Sequence, residues 1–177
     1  MLLKQGVSHK SEMCYNILMG LNDEFVLSML SGLDIFSELD TPALYLLVKH
    51  FKEHVYEQSE VIFKDGSIGN SMMLIASGEV RVSQTSESNM EEALVVLKRG
   101  EIFGEMALIE DLPRSATTIA HTNVITLEIS RSDFLNYIHQ DTKSGVKILL
   151  RLCQILSARL RETDVKLKTF VSLTQWI

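Results

Sequence analysis

At Phe51 the hydrophobic pattern changes period, and that change divides the chain into parts that must fold differently. Downstream, Val55, Val61-Ile62-Phe63, Met72 to Ala76, Val80 with Val82, Leu94 to Leu97 and Val124 to Ile129 are short runs rich in β-formers. Turn signals separate them: Asp65-Gly66, Ser77-Gly78, the polar stretch Thr85 to Asn89, and Arg99-Gly100. Short strands at regular spacing, with no long helix between them, build a sandwich or roll and not a doubly wound sheet. Before Phe51 the spacing is helical. Ile17, Leu18, Leu21, Phe25, Leu27, Met29, Leu30 and Leu33 recur at three- and four-residue steps, interrupted near Gly20-Leu21-Asn22. Asp40-Thr41-Pro42 supplies a cap and a first-turn proline for a helix carrying Leu44, Leu47, Val48 and Phe51. Near the end, Ser130 to Asp133 precedes Phe134, Leu135 and Ile138, and Val146 to Leu160 trace a long amphipathic stretch. The expected fold is α+β, mainly β: an antiparallel, jelly-roll-like β-roll flanked by N-terminal helices and a C-terminal helix. Its expected divisions are a tail and helical segment at 1–32, the roll with its lead-in helix at 33–140, and the C-terminal helix and tail at 141–177.

A chain of 177 residues, 46% hydrophobic and 23% charged, is long enough to bury such a core. Seventeen Lys and Arg stand against 23 Asp and Glu, for a net charge of −6. Non-specific nucleic-acid binding rests on surplus positive charge, so nucleic acid is not an expected partner. Cys14 and Cys153 are far apart, which excludes a disulfide scaffold and a four-thiolate zinc site. Both fall on expected apolar helical faces, where buried inert thiols are the rule. No apolar run approaches the ~20 residues of a membrane span, and Met1 to Gly6 is too short for a signal peptide. The expectation is a cytoplasmic protein with no membrane partner.

The chemistry is concentrated in residues 100–118, GEIFGEMALIEDLPRSATT and its flanks. Gly104 permits a tight strand-to-helix turn, and Glu105 to Ile109 can form about one and a half helical turns before Pro113 stops them. The start of such a helix presents unpaired N–H groups to an anion. Arg114 can return to that mouth, and Ser115 and Ala116 add donors. Glu105, at the same mouth, would repel a phosphate unless it accepts a hydrogen bond from a hydroxyl on the same ligand. One anion and one hydroxyl close together describe a phosphorylated sugar. Taken singly, each residue has a structural reading: Glu105 as a first-turn acid favouring the helix dipole, and Glu110 with Arg114 as an exposed i, i+4 pair worth roughly 0.3–0.5 kcal/mol.

Phe103-Gly104-Glu105-Met106-Ala107-Leu108, followed by Pro113-Arg114-Ser115-Ala116-Thr117, resembles the phosphate-binding cassette of cyclic nucleotide-binding domains. Glu60 to Gly66 and Leu74 to Val80 are similar to that family's roll strands, and Leu33 to Leu39 to its lead-in, so the resemblance spans about residues 30 to 165. It implies a regulatory sensor for a 3′,5′-cyclic purine nucleotide, cAMP favoured and cGMP possible, that relays binding through the C-terminal helix, with no further cofactor and no metal. It implies that Glu105 accepts from the ribose 2′-hydroxyl, that Arg114 pairs with the cyclic phosphate, and that Ser115 and Ala116 donate to its oxygens. Gly104 and Ala107 would let the ligand approach the backbone. Val82, Leu94 and Met106 fall where the family lines the purine and sugar pocket, and Thr163 matches a base-contacting hydroxyl on the C-terminal helix of bacterial members.

Bacterial transcription factors of the family continue into a DNA-binding unit, whereas few residues follow Lys168 here, so DNA binding does not carry over. The partners the resemblance implies are a second copy through the C-terminal helix or an unidentified effector protein. Leu149, Leu152 and Leu156 begin a heptad, but Arg159 and Lys166 occupy the next matching positions, and packing of the same leucines on the roll is the commoner arrangement. Other function classes find less support. His50 and His54 have metal-ligand spacing on an expected helix, yet the pattern supplies no third ligand. A cupin-type enzyme needs histidines clustered on neighbouring strands, and the roll contributes His121. A domain that keeps the roll for protein interaction without binding ligand is the alternative to a sensor.

Overall fold

The computed structural model describes residues 23–85 and 91–174. The helical run at Ile17 to Leu21, Cys14 and the turn residues Ser86 to Asn89 lie outside them. The described strands are β1 (Lys52–Tyr56), β2 (Val61–Phe63), β3 (Ser71–Ser77), β4 (Val80–Thr85), β5 (Glu91–Leu97), β6 (Ile102–Phe103), β7 (Thr117–Ala120) and β8 (Val124–Ser130). They form two four-stranded sheets, ordered β1-β8-β3-β6 and β2-β7-β4-β5, with antiparallel pairing throughout. This is the expected roll. The hydrophobic runs do not announce β6 or β7, because one is two residues long and the other reads Thr-Thr-Ile-Ala.

β3 is buried on both faces from Ser71 to Ala76. With a period of two, Met73 and Ile75 join Val80, Leu97, Phe103, Ala120 and Val124 inside the roll. Met72, Leu74 and Ala76 face the opposite way, into a larger core shared with the helices. Burial on both sides is why this strand reads as one continuous apolar run.

The helices form a layer against that second core. α1 (Asp23–Ser31) contributes Val26, Met29 and Leu30, and a single 3₁₀ turn at Asp34–Phe36 buries Ile35 and Phe36. α2 (Thr41–Val48) starts as its sequence demands: the Asp40 side chain accepts from the Ala43 N–H at 3.0 Å, and Pro42 sits in the first turn. α3 (Arg131–Gln140) is capped by Ser130, whose Oγ accepts from the Asp133 N–H at 3.0 Å. α4 (Thr142–Thr174) is 33 residues long, about 50 Å at 1.5 Å per residue. Its first half is clamped to the core by Ile148 and Leu152, by Lys147 donating to the Glu38 carbonyl at 2.7 Å, and by the Arg151–Asp34 ion pair. None of the described helices is long and apolar enough to cross a membrane.

Two expectations need correction. α2 ends at Val48, so His50 lies in the following turn and His54 in β1, and the helical i, i+4 spacing does not exist. Each histidine faces a carboxylate instead: His54 Nε2 lies 2.7 Å from Glu128, and His50 Nδ1 lies 3.9 Å from Asp133. Among the described residues no cluster of three metal-ligating side chains occurs. Cys153 is exposed and not buried, because α4 turns Leu152 and Leu156 toward the core and leaves Cys153 on its outer side. Leu149, Leu152 and Leu156 pack on the core, the arrangement expected ahead of a coiled-coil seam.

Candidate ligand-binding site

β6 ends at Phe103, and Gly104 turns the chain at φ 70°, a left-handed conformation that disfavours any residue with a Cβ. A Cβ here would also sit 2.5 Å from Arg114 Nη1 and 2.9 Å from the Phe63 ring. Glu105–Leu108 then makes one 3₁₀ turn, shorter than the expected helix. Pro113 does not terminate it. Pro113 lies beyond an intervening loop and forms an isolated β-bridge with Ile68.

The loop between β2 and β3 holds the other half of the site. The Arg114 N–H donates to the Ser67 carbonyl at 2.8 Å, the Gly66 N–H donates to the Arg114 carbonyl at 2.8 Å, and the Asp65 N–H donates to Thr117 Oγ1 at 3.1 Å. The backbone of Arg114 is therefore fixed before its side chain is considered. That side chain is buried, at 8% exposure, and is no member of a surface pair with Glu110. Nη1 donates to the carbonyls of Ser71 at 2.8 Å and Gly104 at 3.1 Å, and Nη2 donates to Ser71 Oγ at 3.2 Å. The guanidinium carbon lies 3.6 Å from the Phe63 ring centroid, a desolvated cation–π contact. Nε is buried without a partner. Burial pulls the guanidinium below its ordinary pKa, and the carboxylates of Glu128 and Glu105 oppose that pull.

Glu105 is buried as well, at 5% exposure. It does not pair with Arg114. Its Oε1 accepts from Arg159 Nη1, and Arg159 Nη2 donates to the Ile102 carbonyl at 2.9 Å. Arg159 belongs to α4, so the carboxylate at the mouth of the roll is bonded directly to the C-terminal helix.

Beside these groups lies a cavity of about 350 Å³, with Phe63, Val82, Leu94, Gly104, Arg114 and Ser115 among its lining. α4 closes one side with Arg159, Glu162, Thr163 and Lys166. The expected residues Val82, Leu94, Gly104, Arg114, Ser115, Ala116 and Thr163 thus surround one volume, with Glu105 adjacent through Arg159. Met106 and Ala107 do not line it. The 3₁₀ turn carries both to a neighbouring hollow of about 210 Å³ that shares Gly104, Arg114 and Ser115 with the first, where Met106 is 44% exposed and Ala107 is buried. Thr163 Oγ1 donates back to the Arg159 carbonyl at 2.9 Å. Sequence reasoning missed Arg159, Phe63, Ser71 and Thr118. Arg159 was visible as the first cation to follow Leu149, Leu152 and Leu156 in their helical series, but its partner was not.

A family model for the cyclic nucleotide-binding domain matches residues 53–141, half of the chain. The chain belongs to the cyclic nucleotide-binding domain family. It is 33% identical over 138 residues to the cyclic AMP receptor protein of Thermus thermophilus, covering 78% of this chain and 62% of that protein. It is 29% identical over 156 residues to human cGMP-dependent protein kinase 2, covering 87% of this chain and 20% of the kinase. Among solved structures, the Thermus thermophilus catabolite activator protein superposes with a TM-score of 0.70 at 32% identity, covering 77% of this chain and 62% of that one. A cyclic nucleotide-binding domain from Methylobacillus flagellatus superposes with a TM-score of 0.72 at 26% identity, covering 81% of each. The domain therefore spans under two thirds of both curated relatives. Their names divide between the two purines.

Proposed function

We propose that this domain is a regulatory sensor, not an enzyme, that binds a 3′,5′-cyclic purine nucleotide, cAMP ahead of cGMP, and relays occupancy through α4. The supporting observation is a pair of buried opposite charges, Glu105 and Arg114, placed beside one cavity without being paired to each other. A roll used purely as an interaction scaffold gains nothing from this arrangement, since buried charges carry a desolvation penalty that hydrophobic residues would avoid. A cyclic nucleotide uses both. Arg114 and the N–H groups of Ser115 and Ala116 hold the phosphate, Ser115 Oγ adds a donor, and Glu105 accepts from the 2′-hydroxyl. Val82, Leu94 and Thr163 flank the base. The site calls for no metal and no further cofactor.

The relay follows from the partner of Glu105. A ligand that engages this carboxylate acts on the group Arg159 holds, which supplies the differential interaction a conformational change requires. Calorimetric titration with cAMP and cGMP tests the binding. Arg114→Ala should weaken it by about 2–5 kcal/mol, since a charge-assisted partner is lost in a mostly desolvated site. Glu105→Ala should weaken cAMP selectively, with little effect on 2′-deoxy-cAMP. Unchanged affinity in Arg114→Ala refutes the assignment, and a wild-type preference for cGMP refutes the base preference.

A second copy is the proposed partner of α4. Val146, Leu150, Cys153, Ser157 and Leu160 follow a four-three spacing along its exposed side, and Leu167 continues it after Asp164. This seam is offset from the leucines that pack on the core. In a parallel, in-register pair, Cys153 faces its own counterpart, so mild oxidation should cross-link the wild type and not Cys153→Ser. A monomeric mass at every concentration, with and without cAMP, counts against the dimer.

A further inference from the structure

The cavity wall contains a buried hydroxyl to which the proposed function gives no role. Thr118 lies on β7, directly opposite Val82 of β4 in the ladder, and lines the cavity. It is 5% exposed, and its Oγ1 is buried with no hydrogen-bond partner. Strand alternation places it on the inner side of the roll with Ala120, which packs among Val80, Leu97 and Val124. Its surroundings are apolar: Val82 beside it, then Val95 across β4 and Leu97 on the same cavity.

A hydroxyl in this position is unfavourable to the empty protein. Buried polar groups are almost always hydrogen-bonded, and a valine would fill the same shape without an orphaned donor and acceptor. The place along the strand says what would use it. Thr118 is two residues beyond Ala116 in the phosphate-binding stretch, about 7 Å at the rise of a β-strand. That is roughly the separation, across a ribose, between a phosphate and its base. Rotation about χ1 exchanges the Thr118 methyl and hydroxyl, so either can face the cavity.

We infer that Thr118 is a specificity-determining residue whose hydroxyl hydrogen-bonds the purine of the bound cyclic nucleotide. A few convergent polar groups in an apolar pocket are what fix a ligand's orientation, and here Thr118 fixes the base while Arg114 fixes the phosphate. The inference rests on the cyclic nucleotide reading and deepens it.

The test is Thr118→Val and Thr118→Ser, each titrated with cAMP, cGMP and ribose 3′,5′-cyclic phosphate, and each melted without ligand. Thr118→Val should bind the preferred nucleotide about 5–20-fold more weakly, the change of one lost hydrogen bond, while its ligand-free Tm rises by about 2 °C or more. Opposite signs for affinity and stability separate a ligand contact from a packing residue. Thr118→Ser should bind as the wild type does, and ribose cyclic phosphate should not distinguish Thr118→Val from the wild type. Equal nucleotide affinity in Thr118→Val and the wild type overturns the inference and leaves the cyclic nucleotide reading standing. An equal loss with the base-free phosphate overturns it too, because the contact is then not to the base. If the wild type binds neither nucleotide, the underlying reading fails and takes this inference with it.

Discussion

Gly69→Ala should damage ligand binding although Gly69 carries no functional atom. An ideal Cβ at this position lies 2.8 Å from Arg114 Nε, 2.9 Å from Cδ and 3.1 Å from Cζ. Ordinary contact begins near 3.4 Å, so the arginine must retreat by about 0.6 Å. An exposed arginine would do so freely. This one rests on Phe63 and donates three hydrogen bonds, to Ser71 O, Gly104 O and Ser71 Oγ, at 2.8, 3.1 and 3.2 Å. A shift of that size stretches the two longer bonds past useful range. Each charge-assisted bond is worth about 1.5–3 kcal/mol, and alanine recovers about 0.4–1 kcal/mol by restricting the unfolded chain. The expected result is a fold destabilised by about 2–5 kcal/mol, from two lost bonds less the alanine gain, and cAMP binding weakened about 10–100-fold, as one misplaced charge-assisted contact implies. Calorimetric titration alongside urea unfolding measures both. Gly32→Ala is the control, since its Cβ would meet ordinary contacts at 3.6 and 3.9 Å, and it should bind as the wild type does. Wild-type affinity in Gly69→Ala would show that the position of the Arg114 guanidinium does not govern binding.

Cyclic nucleotide should increase hydrogen-exchange protection from Leu156 to Thr163 and from Gly104 to Ala116, and leave Val61 to Ala76 nearly unchanged. Protection confined to the cassette would disconnect α4 from the site. Arg159→Met should keep most nucleotide affinity but abolish the protection at Leu156 to Thr163; retained protection there refutes the Arg159–Glu105 pair as the latch that holds α4 to the site. Leu152→Ala removes a fully buried side chain between α4 and the core, and should cost about 2–5 kcal/mol in urea unfolding. Asp141 accepts the Ser144 N–H at 3.1 Å, and its hydrogen bonds with Ser144 hold its carboxyl below the ordinary 3.8. Its contribution is therefore full above that value and lost as pH falls through the lowered one. Asp141→Ala should cost about 0.5–2 kcal/mol at pH 7, with the deficit closing below pH 3.8.

The roll was legible because its strands bury one or both faces and so carry the pattern themselves. β7 was not, because Thr117 and Thr118 break the apolar series: Thr117 Oγ1 holds the loop at Asp65, and Thr118 lines the cavity. The cassette was legible from the order of Gly104, Glu105 and Arg114, but local spacing described their surroundings poorly. It suggested a surface pair for Arg114, whereas the β2–β3 loop, far off in sequence, buries that side chain against Phe63 and Ser71. His50 and His54 fail for a similar reason. The period changes between them, and a spacing rule applied across the end of α2 joins residues that do not share a helix. Arg159 lies 54 residues from Glu105, beyond the reach of any local rule.

The energetics of α4 decide what kind of switch it can be. Its proximal half is fixed by Ile148, Leu152 and the Arg151–Asp34 pair, whereas from Ser157 to Thr169 its side chains are exposed apart from half-buried Arg159. The distal half is therefore held to the roll chiefly through Arg159. That hold is one charge-assisted pair with a side chain 40% exposed, so it contributes at the lower end of about 1.5–3 kcal/mol after solvent screening. Moving a two-state equilibrium from 1:99 to 99:1 takes about 5.5 kcal/mol. One latch in one chain therefore yields a graded response, roughly tenfold. Two chains joined along the outer seam of α4 must move their distal halves together, which brings two latches to bear on one equilibrium. The steepness of the response should thus depend on the dimer. Leu150→Glu with Leu160→Glu should leave nucleotide affinity per chain nearly intact while flattening the transition seen in α4 by hydrogen exchange. An equally steep transition in that doubly substituted protein would place the switch inside a single chain.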